Sequence, residues 1–270
     1  MQNLSWKYFK NRYSLDLLGN LVSRDLKQKN SGTILGVGNY VFVPFISLLL
    51  YTFVFGIVLR VRWYPETEQG IADFALILFS GLAIYSIFSD ILFQSASLFD
   101  SNQHYVRKVV FRLELLPRSL ILSYIVQALI LCAVIYCFKI FLFDAQLFFK
   151  IYHIIIFVSF VIHCYAISLL VSIVCPFVRD VKTILPSISQ GLLFLSPILY
   201  PTDMLPNQIV TLLNFNPITL PVRAIREIFF GMDAGLNGNI ALVYLFSNLI
   251  FLYCAIFTFK RLKVQLNDVL

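Results

Sequence analysis

The sequence predicts an all-α polytopic membrane protein, on the evidence of its composition, its long apolar runs and the placement of its cations. Hydrophobic residues make up 59% of the 270 residues and charged residues only 13%, whereas a soluble domain usually carries about 25% charged residues. No soluble core of this size could bury so much apolar surface, so lipid must solvate much of it. The formal net charge is +7, and the cations flank apolar runs, which favours an acidic membrane surface over nucleic acid as the partner.

Six runs of about 20 mainly apolar residues are long enough to cross a bilayer. The predicted spans are Tyr40–Leu59, Asp73–Phe93, Leu120–Phe143, Ile151–Cys175, Ile184–Tyr200 and Ile240–Phe259. Residues 39–270 therefore form a single domain of six transmembrane helices.

The Lys and Arg residues are distributed unevenly between the two sides of these spans. If the N-terminus is inside, the inner side carries 15 of the 21 Lys and Arg residues and the outer side six. Cytoplasmic loops are enriched in Lys and Arg. The sequence therefore predicts that both termini are cytoplasmic.

Residues 1–38 precede the first span and read as an N-terminal amphipathic interface helix. Trp6, Phe9, Tyr13, Leu17 and Leu21 recur every three or four residues, with cations between them. Such a helix lies in the membrane interface on the cytoplasmic side. The alternative is a helix that packs on a soluble partner.

Residues 101–110, between spans two and three, read as a short amphipathic helix. Asp100 is a candidate N-cap, Gln103 follows three residues later, and Val106 and Val109 share one side. The helix either docks against a partner or is a connector that lies on the surface.

Residues 201–239, between spans five and six, contain two apolar patches that are too short to span. Pro217, Pro221, Arg223 and Arg226 would be costly in lipid. A re-entrant outer hairpin of short helices, shielded from lipid by protein, satisfies both constraints.

Enzyme motifs are missing from the sequence. There is no GxxxxGK[ST] phosphate loop and no GxSxG nucleophile motif. His104, His153 and His163 lack metal-ligand spacing, and the five cysteines read as apolar filler. The span centres carry no Asp, Glu, Lys or Arg, so we expect the energy for any transport to come from a partner.

Ordered sequence segments then resemble polysaccharide ABC exporter permeases, the transmembrane subunits of type-2 ABC transporters. The matching segments are Ser23-Arg24-Asp25-Leu26-Lys27, Gly32 to Gly36, Pro44, Tyr51 to Gly56, Phe177-Val178-Arg179-Asp180-Val181, Ser196-Pro197-Ile198-Leu199-Tyr200, Leu205-Pro206, Asn216-Pro217, and Arg226 with Gly231. The chain looks most like the Wzm branch, which exports O-antigen, and capsule (KpsM-like) and teichoic acid (TagG-like) permeases are relatives.

This resemblance implies a homodimer in the bacterial inner (cytoplasmic) membrane, with two separate ABC ATPase subunits below it. ATP and Mg would bind those subunits, and this chain would hold no cofactor or metal. A lipid-linked polysaccharide, O-antigen above all, would pass from the cytoplasmic side outward between the two protomers. Spans one and five would line most of that path.

The resemblance also implies roles for individual residues. The residues expected to couple to the ATPase are Asn102, Gln103, Tyr105, Val106, Val109, Arg179 and Asp180. The candidates along the substrate path, where aromatic rings stack on sugars, are Tyr40, Phe42, Tyr51, Phe55, Phe194 and Tyr200. For each of them, a position in the core or facing lipid is the alternative. Arg24 and Lys27 would meet the lipid headgroup, and an outer gate would comprise Pro206, Asn216, Pro217 and Arg226. For Arg179-Asp180, a local ion pair and an orienting role at the ATPase remain open.

Other functions stay open at this point. Within the superfamily, the chain could be a capsule or teichoic acid exporter permease, or a lipid or drug permease. Outside it, a membrane-embedded transferase would need an acidic or His cluster at the membrane face, and a structural scaffold would not need the ordered segments.

Overall fold

The computed structural model describes residues 16–27, 39–58, 70–106, 112–142, 146–201, 205–213, 215–232 and 235–266, and every regular element in these ranges is helical. Residues 16–27 form α1. The other helices are α2 (Asn39–Tyr51), α3 (Ile71–Ser97), α4 (Gln103–Val106), α5 (Leu115–Leu142), α6 (Ile151–Val174), α7 (Asp180–Phe194), α8 (Asn207–Leu213), α9 (Thr219–Phe230) and α10 (Gly238–Leu262).

Four helices of the described chain are long and apolar enough to cross a membrane. Their spanning stretches are Asp73–Ser97, Leu115–Phe141, Ile151–Val174 and Gly238–Gln265. They correspond to the second, third, fourth and sixth predicted spans. The chain is therefore an all-α, multi-pass membrane protein, as the sequence predicts.

The helices at the first and fifth predicted spans are shorter. The 13 residues of α2 run into a π-helix, Thr52–Val58. The 15-residue α7 contains Pro186, and at 1.5 Å per residue it is about 22 Å long, short of the roughly 30 Å hydrocarbon core. The predicted continuation of this span to Tyr200 is wrong, because the chain turns after Phe194.

Helix α3 lies at the centre of the fold. It packs against α2, α5, α6, α7 and α9, and 78% of its most apolar stretch is buried, against 22% for α10. Hydroxyl pairs tie it to its neighbours: Ser89 to Ser189 of α7 at 2.7 Å and Ser95 to Ser168 of α6 at 2.8 Å. In an apolar interior these pairs satisfy groups that lipid could not.

The helix bundle has two ends, which we call inner and outer after the orientation that the sequence predicts. At the inner end, where α3 finishes and α5 begins, Lys182 forms an ion pair with Asp100 and Lys263 forms one with Glu114. The outer end is where α5 finishes and α6 begins. The inner end gathers the segments that the sequence predicts to be cytoplasmic.

Helix α1 packs on the protein at the inner end. Leu21 is only 2% exposed and belongs to the main core. The Ser119 hydroxyl of α5 donates a hydrogen bond to Asp25 Oδ2 at 3.0 Å. The amphipathic face predicted from residues 17 and 21 therefore contacts protein, and the earlier aromatic residues of that face lie outside the described ranges.

Candidate functional site

Arg226 of α9 is buried at the outer end, with 4% of its surface exposed. Its guanidinium donates hydrogen bonds to the carbonyls of Pro197 and Ile198, which follow α7, and to Ile77 of α3 at 3.4 Å. Peptide carbonyls satisfy a guanidinium in a site that water does not reach. This predicted gate residue thus joins three elements.

Asn216, like Arg226, links separate elements at the outer end. Its side-chain amide donates to the Leu195 carbonyl at 3.2 Å and to Ser196 Oγ at 2.9 Å. Its Oδ1 accepts from the Ile218 backbone N–H at 3.0 Å, at the start of α9. The Asn216-Pro217 step, a turn or helix-start signal in the sequence, lies just before α9, and Asn216 also fixes α9 to the end of α7.

The two remaining gate candidates lie on either side of this joint. The Pro217 carbonyl accepts a hydrogen bond from the Tyr244 hydroxyl of α10 at 2.7 Å. Pro206 is exposed, and its carbonyl accepts the backbone N–H groups of Ile209 and Val210 as α8 begins. The structure brings together Asn216, Pro217 and Arg226, while Pro206 belongs to a separate short helix.

Gly231 closes α9 in a left-handed conformation, with φ of +65°. A β-carbon there would lie 2.9 Å from the Phe148 ring. Both the backbone angle and the close ring require glycine. The Arg226-to-Gly231 segment thus begins at a buried clamp and ends at a helix cap.

A cluster of polar side chains at the outer end, centred on the buried Glu227, was not predicted from the sequence. Glu227 is 4% exposed, and its Oε1 accepts hydrogen bonds from Lys150 Nζ at 2.8 Å and from the Tyr152 hydroxyl. His153 Nδ1 accepts the Lys150 backbone N–H, which places the proton of the neutral ring on Nε2. That Nε2 lies 3.3 Å from Glu227 Oε2.

These contacts set the ionisation of the cluster. Burial alone would raise the pKa of Glu227, but the hydrogen bonds from Lys150 and Tyr152 and the nearby His153 ring outweigh it and lower that pKa below its ordinary value. The hydrogen bond to Glu227 also raises the pKa of Lys150. Glu227 is therefore a carboxylate at neutral pH, and it anchors α9 to the start of α6.

The predicted path aromatics fall into two groups. Tyr51 and Phe55 lie on the α2 side with ring centroids 6.3 Å apart. Phe42, about two and a half turns before Tyr51, is 46% exposed. Phe194 ends α7, 53% exposed, and its carbonyl accepts the Tyr200 hydroxyl at 2.8 Å. The side chain of Tyr40 lies outside the described residues.

One face of α7 is polar and exposed. Thr183, Ser187 and Gln190 follow helical spacing and lead to Phe194. The side chains of Ser187 and Gln190 make no hydrogen bond within the described chain. The opposite face is fixed by Ser189, which bonds to Tyr85 and Ser89 near the middle of α3. At that depth, polar groups need water or a polar ligand.

The predicted ATPase-coupling segment starts as a turn of 3₁₀-helix, Asp100–Asn102, followed by α4. Gln103 is exposed, whereas Asn102 is buried and donates to the Leu98 carbonyl at 2.9 Å. The side chains of Tyr105 and Val106 and the whole of Val109 lie outside the described residues.

Arg179 and Asp180 are exposed at the start of α7. The ion pair at this point instead joins Lys182 to Asp100, across two elements. The start of α7 is therefore linked to the predicted coupling segment by a contact that the sequence did not indicate.

The two headgroup candidates of α1 occupy different environments. Arg24 is partly buried and forms an ion pair with Asp25 at 2.8 Å, while Lys27 is exposed. Among the described residues, no three His, Cys, Asp or Glu side chains gather as metal ligands.

A multi-pass helical chain with a polar helix face at membrane depth has the architecture of a membrane transport subunit. The family model of the ABC-2 type transporters matches residues 20–230, and the chain belongs to that family. It is similar to two O-antigen export system permease proteins RfbA of Klebsiella pneumoniae, 24% and 25% identical over 262 residues, or 96% of each chain. It is also similar to the protein of the same name from Myxococcus xanthus, 23% identical over 79% of this chain and 80% of that one.

Proposed function

We propose that this chain is the permease subunit of an ATP-driven exporter that moves a lipid-linked O-antigen polysaccharide outward across the bacterial inner membrane. The observation that carries the proposal is the similarity to O-antigen export permeases over 96% of both chains. Similarity over nearly the whole length favours a shared task for the whole chain, whereas a shared motif alone would favour only a shared site.

The proposed protein is a homodimer of six-span subunits, with α2 and α7 at the first and fifth spans. Both helices leave large side chains uncovered: Leu50 and Phe53 on the α2 side, and Ile184 and Ile188 on α7. Apolar side chains beside the polar face of α7 suit a second copy of the chain, while the polar face suits a hydrated glycan. The aromatic residues Phe194 and Tyr200 stand at the outer end of that path.

ATP hydrolysis takes place on two separate ABC ATPase subunits that dock at the inner end. Three features support this docking surface: the exposed Gln103, the exposed Arg179-Asp180 pair, and the ion pair between Asp100 and Lys182. That ion pair lets a push on the coupling segment reach α7, which lines the proposed path. The outer hairpin, residues 201–239, closes the path at rest.

The test is co-purification of a tagged version of this chain with the ATPase encoded beside it, together with glycan export in cells that lack the natural gene. We expect the ATPase to co-purify and export to be restored. Replacing both Val106 and Val109 with Asp should abolish ATPase binding and export while the protein still inserts in the membrane. The absence of any ATPase from the wild-type preparation contradicts the proposal.

A further inference from the structure

A short segment at the outer end, residues 146–150, leads into α6, and we call it the aromatic loop. All of its residues are exposed, and Leu147, Phe148 and Phe149 form an unbroken apolar run within it. Phe149 alone is 57% exposed. Consecutive exposed apolar side chains are unfavourable in water, so this loop needs an apolar partner.

The aromatic loop holds the end of α9. The Phe148 backbone N–H donates a hydrogen bond to the Ile228 carbonyl at 2.9 Å, and Lys150 Nζ donates one to Glu227 Oε1 at 2.8 Å. The Phe148 ring also occupies the space beside Gly231, which caps α9. The last turn of α9 and its cap are therefore fixed to this loop.

Helix α5 fixes the other end of the aromatic loop. Lys139 lies in the last turn of α5, and its ammonium donates a hydrogen bond to the Gln146 carbonyl. The same ammonium lies 5.8 Å from the centre of the Phe148 ring. The loop is thus attached to two spanning helices, α5 and α6, which set its depth in the membrane.

The exposed apolar surface of the loop continues the lipid-facing surface of these two helices. Phe141, near the end of α5, is exposed, and Ile151, the first residue of α6, is 74% exposed. Both belong to stretches that are long and apolar enough to span, so lipid covers them. Phe149 lies only two residues before Ile151, and apolar rings next to a cation such as Lys150 are typical of the membrane interface.

We propose that the aromatic loop binds the phospholipid leaflet at the outer end through Leu147 and Phe149, and that this contact holds the last turn of α9 at a fixed depth. The same short loop contacts α9 and lipid, so a disturbance of the lipid contact reaches α9 directly. The lipid contact does not depend on the exported substrate, whereas the place of α9 in an outer gate rests on the proposed function.

Tryptophan fluorescence measures the lipid contact. Phe149→Trp is made in the full-length chain with its two natural tryptophans, Trp6 and Trp63, replaced by Phe, and is reconstituted in phosphatidylcholine vesicles. We expect lipid brominated near the headgroup to quench this tryptophan about twofold more than lipid brominated near the ends of the acyl chains, since the loop lies at the headgroup boundary. Ile250→Trp, exposed in the middle of α10, is the matched control and should show the reverse order.

Acrylamide dissolved in the water separates the alternatives for Phe149→Trp. Strong quenching by acrylamide and none by either brominated lipid places the loop in water. Protection from all three quenchers means that protein covers the loop, such as a second copy of this chain. Either result overturns the proposal.

Hydrogen exchange in the same vesicles tests the link to α9. The Gly231 amide bonds to the Glu227 carbonyl. Phe149→Glu and, independently, Leu147→Glu should each speed the exchange of that amide about tenfold, because each removes an apolar side chain from lipid. Ile71→Glu is the matched control, since Ile71 is exposed at the start of α3 at the same end, and its exchange should equal that of wild type. Wild-type exchange in either variant, once folded, overturns the link.

The readouts separate this proposal from the proposed function. If brominated lipid quenches Phe149→Trp as expected but no ATPase co-purifies with the wild type, only the proposed function fails. If the ATPase co-purifies and glycan is exported, but lipid does not quench Phe149→Trp, only the lipid contact fails.

Discussion

The guanidinium of Arg226 lies directly against the bare α-carbon of Gly81. A β-carbon at Gly81 would be 3.0 Å from Arg226 Nη2 and 3.2 Å from Ile198 Cγ2. Glycine at this point of α3 leaves room for the charged group that joins α3, α9 and the end of α7. A residue that is unfavourable in a helix interior is here required by a residue 145 positions later in the chain.

Gly81→Ala should therefore destabilise the protein. The added methyl group displaces a guanidinium held by buried carbonyls, and a buried hydrogen-bonding group left without its partner costs about 1 to 3 kcal/mol. The measurement is the melting temperature in detergent. Gly19→Ala is the control, since a β-carbon there meets no atom within 4 Å, and it should match or exceed wild type. Equal melting temperatures for Gly81→Ala and wild type contradict the expectation.

Asn216→Ala should loosen the start of α9. It removes the hydrogen bonds to Leu195, Ser196 and Ile218, and we expect a loss of about 1 to 3 kcal/mol. Asn216→Asp keeps the acceptor for Ile218 but turns a carboxylate oxygen toward the Leu195 carbonyl, so it should be at least as destabilising as Ala.

Thermal unfolding measures the stabilities of the Asn216→Ala and Asn216→Asp variants against that of the wild type. Asn239→Ala, at an exposed position in α10, should have no effect. If Asn216→Asp is as stable as wild type, the helix cap alone matters, and the link to the end of α7 contributes nothing.

Stability should fall in acid because of Glu227. The pKa of Glu227 is lower in the folded state than its ordinary value of 4.5, so its contribution to stability is complete above that value. It is lost as the pH falls through the lower folded pKa. Glu227→Gln should thus be less stable than wild type at pH 7, and the difference should shrink below about pH 4.5. Melting temperatures of both proteins from pH 7 to pH 3.5 test this, and a constant difference would refute it.

The ion pair between Asp100 and Lys182 should matter more for coupling than for stability. Both side chains are about one-third exposed, and exposed pairs contribute about 0 to 1 kcal/mol. Lys182→Glu should leave the melting temperature nearly unchanged but lower glycan export, because two like charges push α7 away from the coupling segment. The exchange Asp100→Lys with Lys182→Glu should restore part of the export, whereas no recovery would argue against a direct link.

The polar face of α7 should determine which glycans pass. Replacing both Ser187 and Gln190 with Leu removes hydrogen-bonding groups from the proposed path, so we expect export of long chains to fall more than export of short ones. Ile184→Leu, on the same helix, is the control and should not alter the chain-length distribution. The exported glycans are resolved by gel electrophoresis at matched protein levels. An unchanged distribution in the double variant places the path elsewhere.

Much of the helical framework could be predicted from local sequence. Four spans are apolar for longer than a bilayer needs, so composition alone determines them. The start of α9 was also predictable, because Asn-Pro is a local turn signal and the cap reaches only from Asn216 to Ile218.

The polar contacts that join the helices at the outer end were not predictable in the same way. Arg226 and Lys150 read as outer-loop cations, and nothing near them in sequence indicates a partner. Lys150 and its partner Glu227 are 77 residues apart in the sequence, and Arg226 and its partner Ile77 are 149 residues apart. Likewise, an apolar run continues past Phe194, where the hydrogen bond from Asn216 to Ser196 holds the chain after α7. Pro197 is a local stop signal at this point that the predicted span overlooked. Such contacts depend on the fold, which a single sequence does not specify locally.

The central position of α3 has a consequence for biosynthesis. This helix leaves the ribosome before the helices that provide its partners. Ser95 lacks its partner until Ser168 is made, and Ser89 and Tyr85 lack theirs until Ser189 is made. Gly81 likewise precedes Arg226. Helix α6 therefore removes the Ser95 hydroxyl from contact with lipid, and α7 then removes those of Ser89 and Tyr85. A ribosome stalled after α6 would leave Ser89 and Tyr85 unpaired, and such a half-made chain is a natural target for membrane proteases.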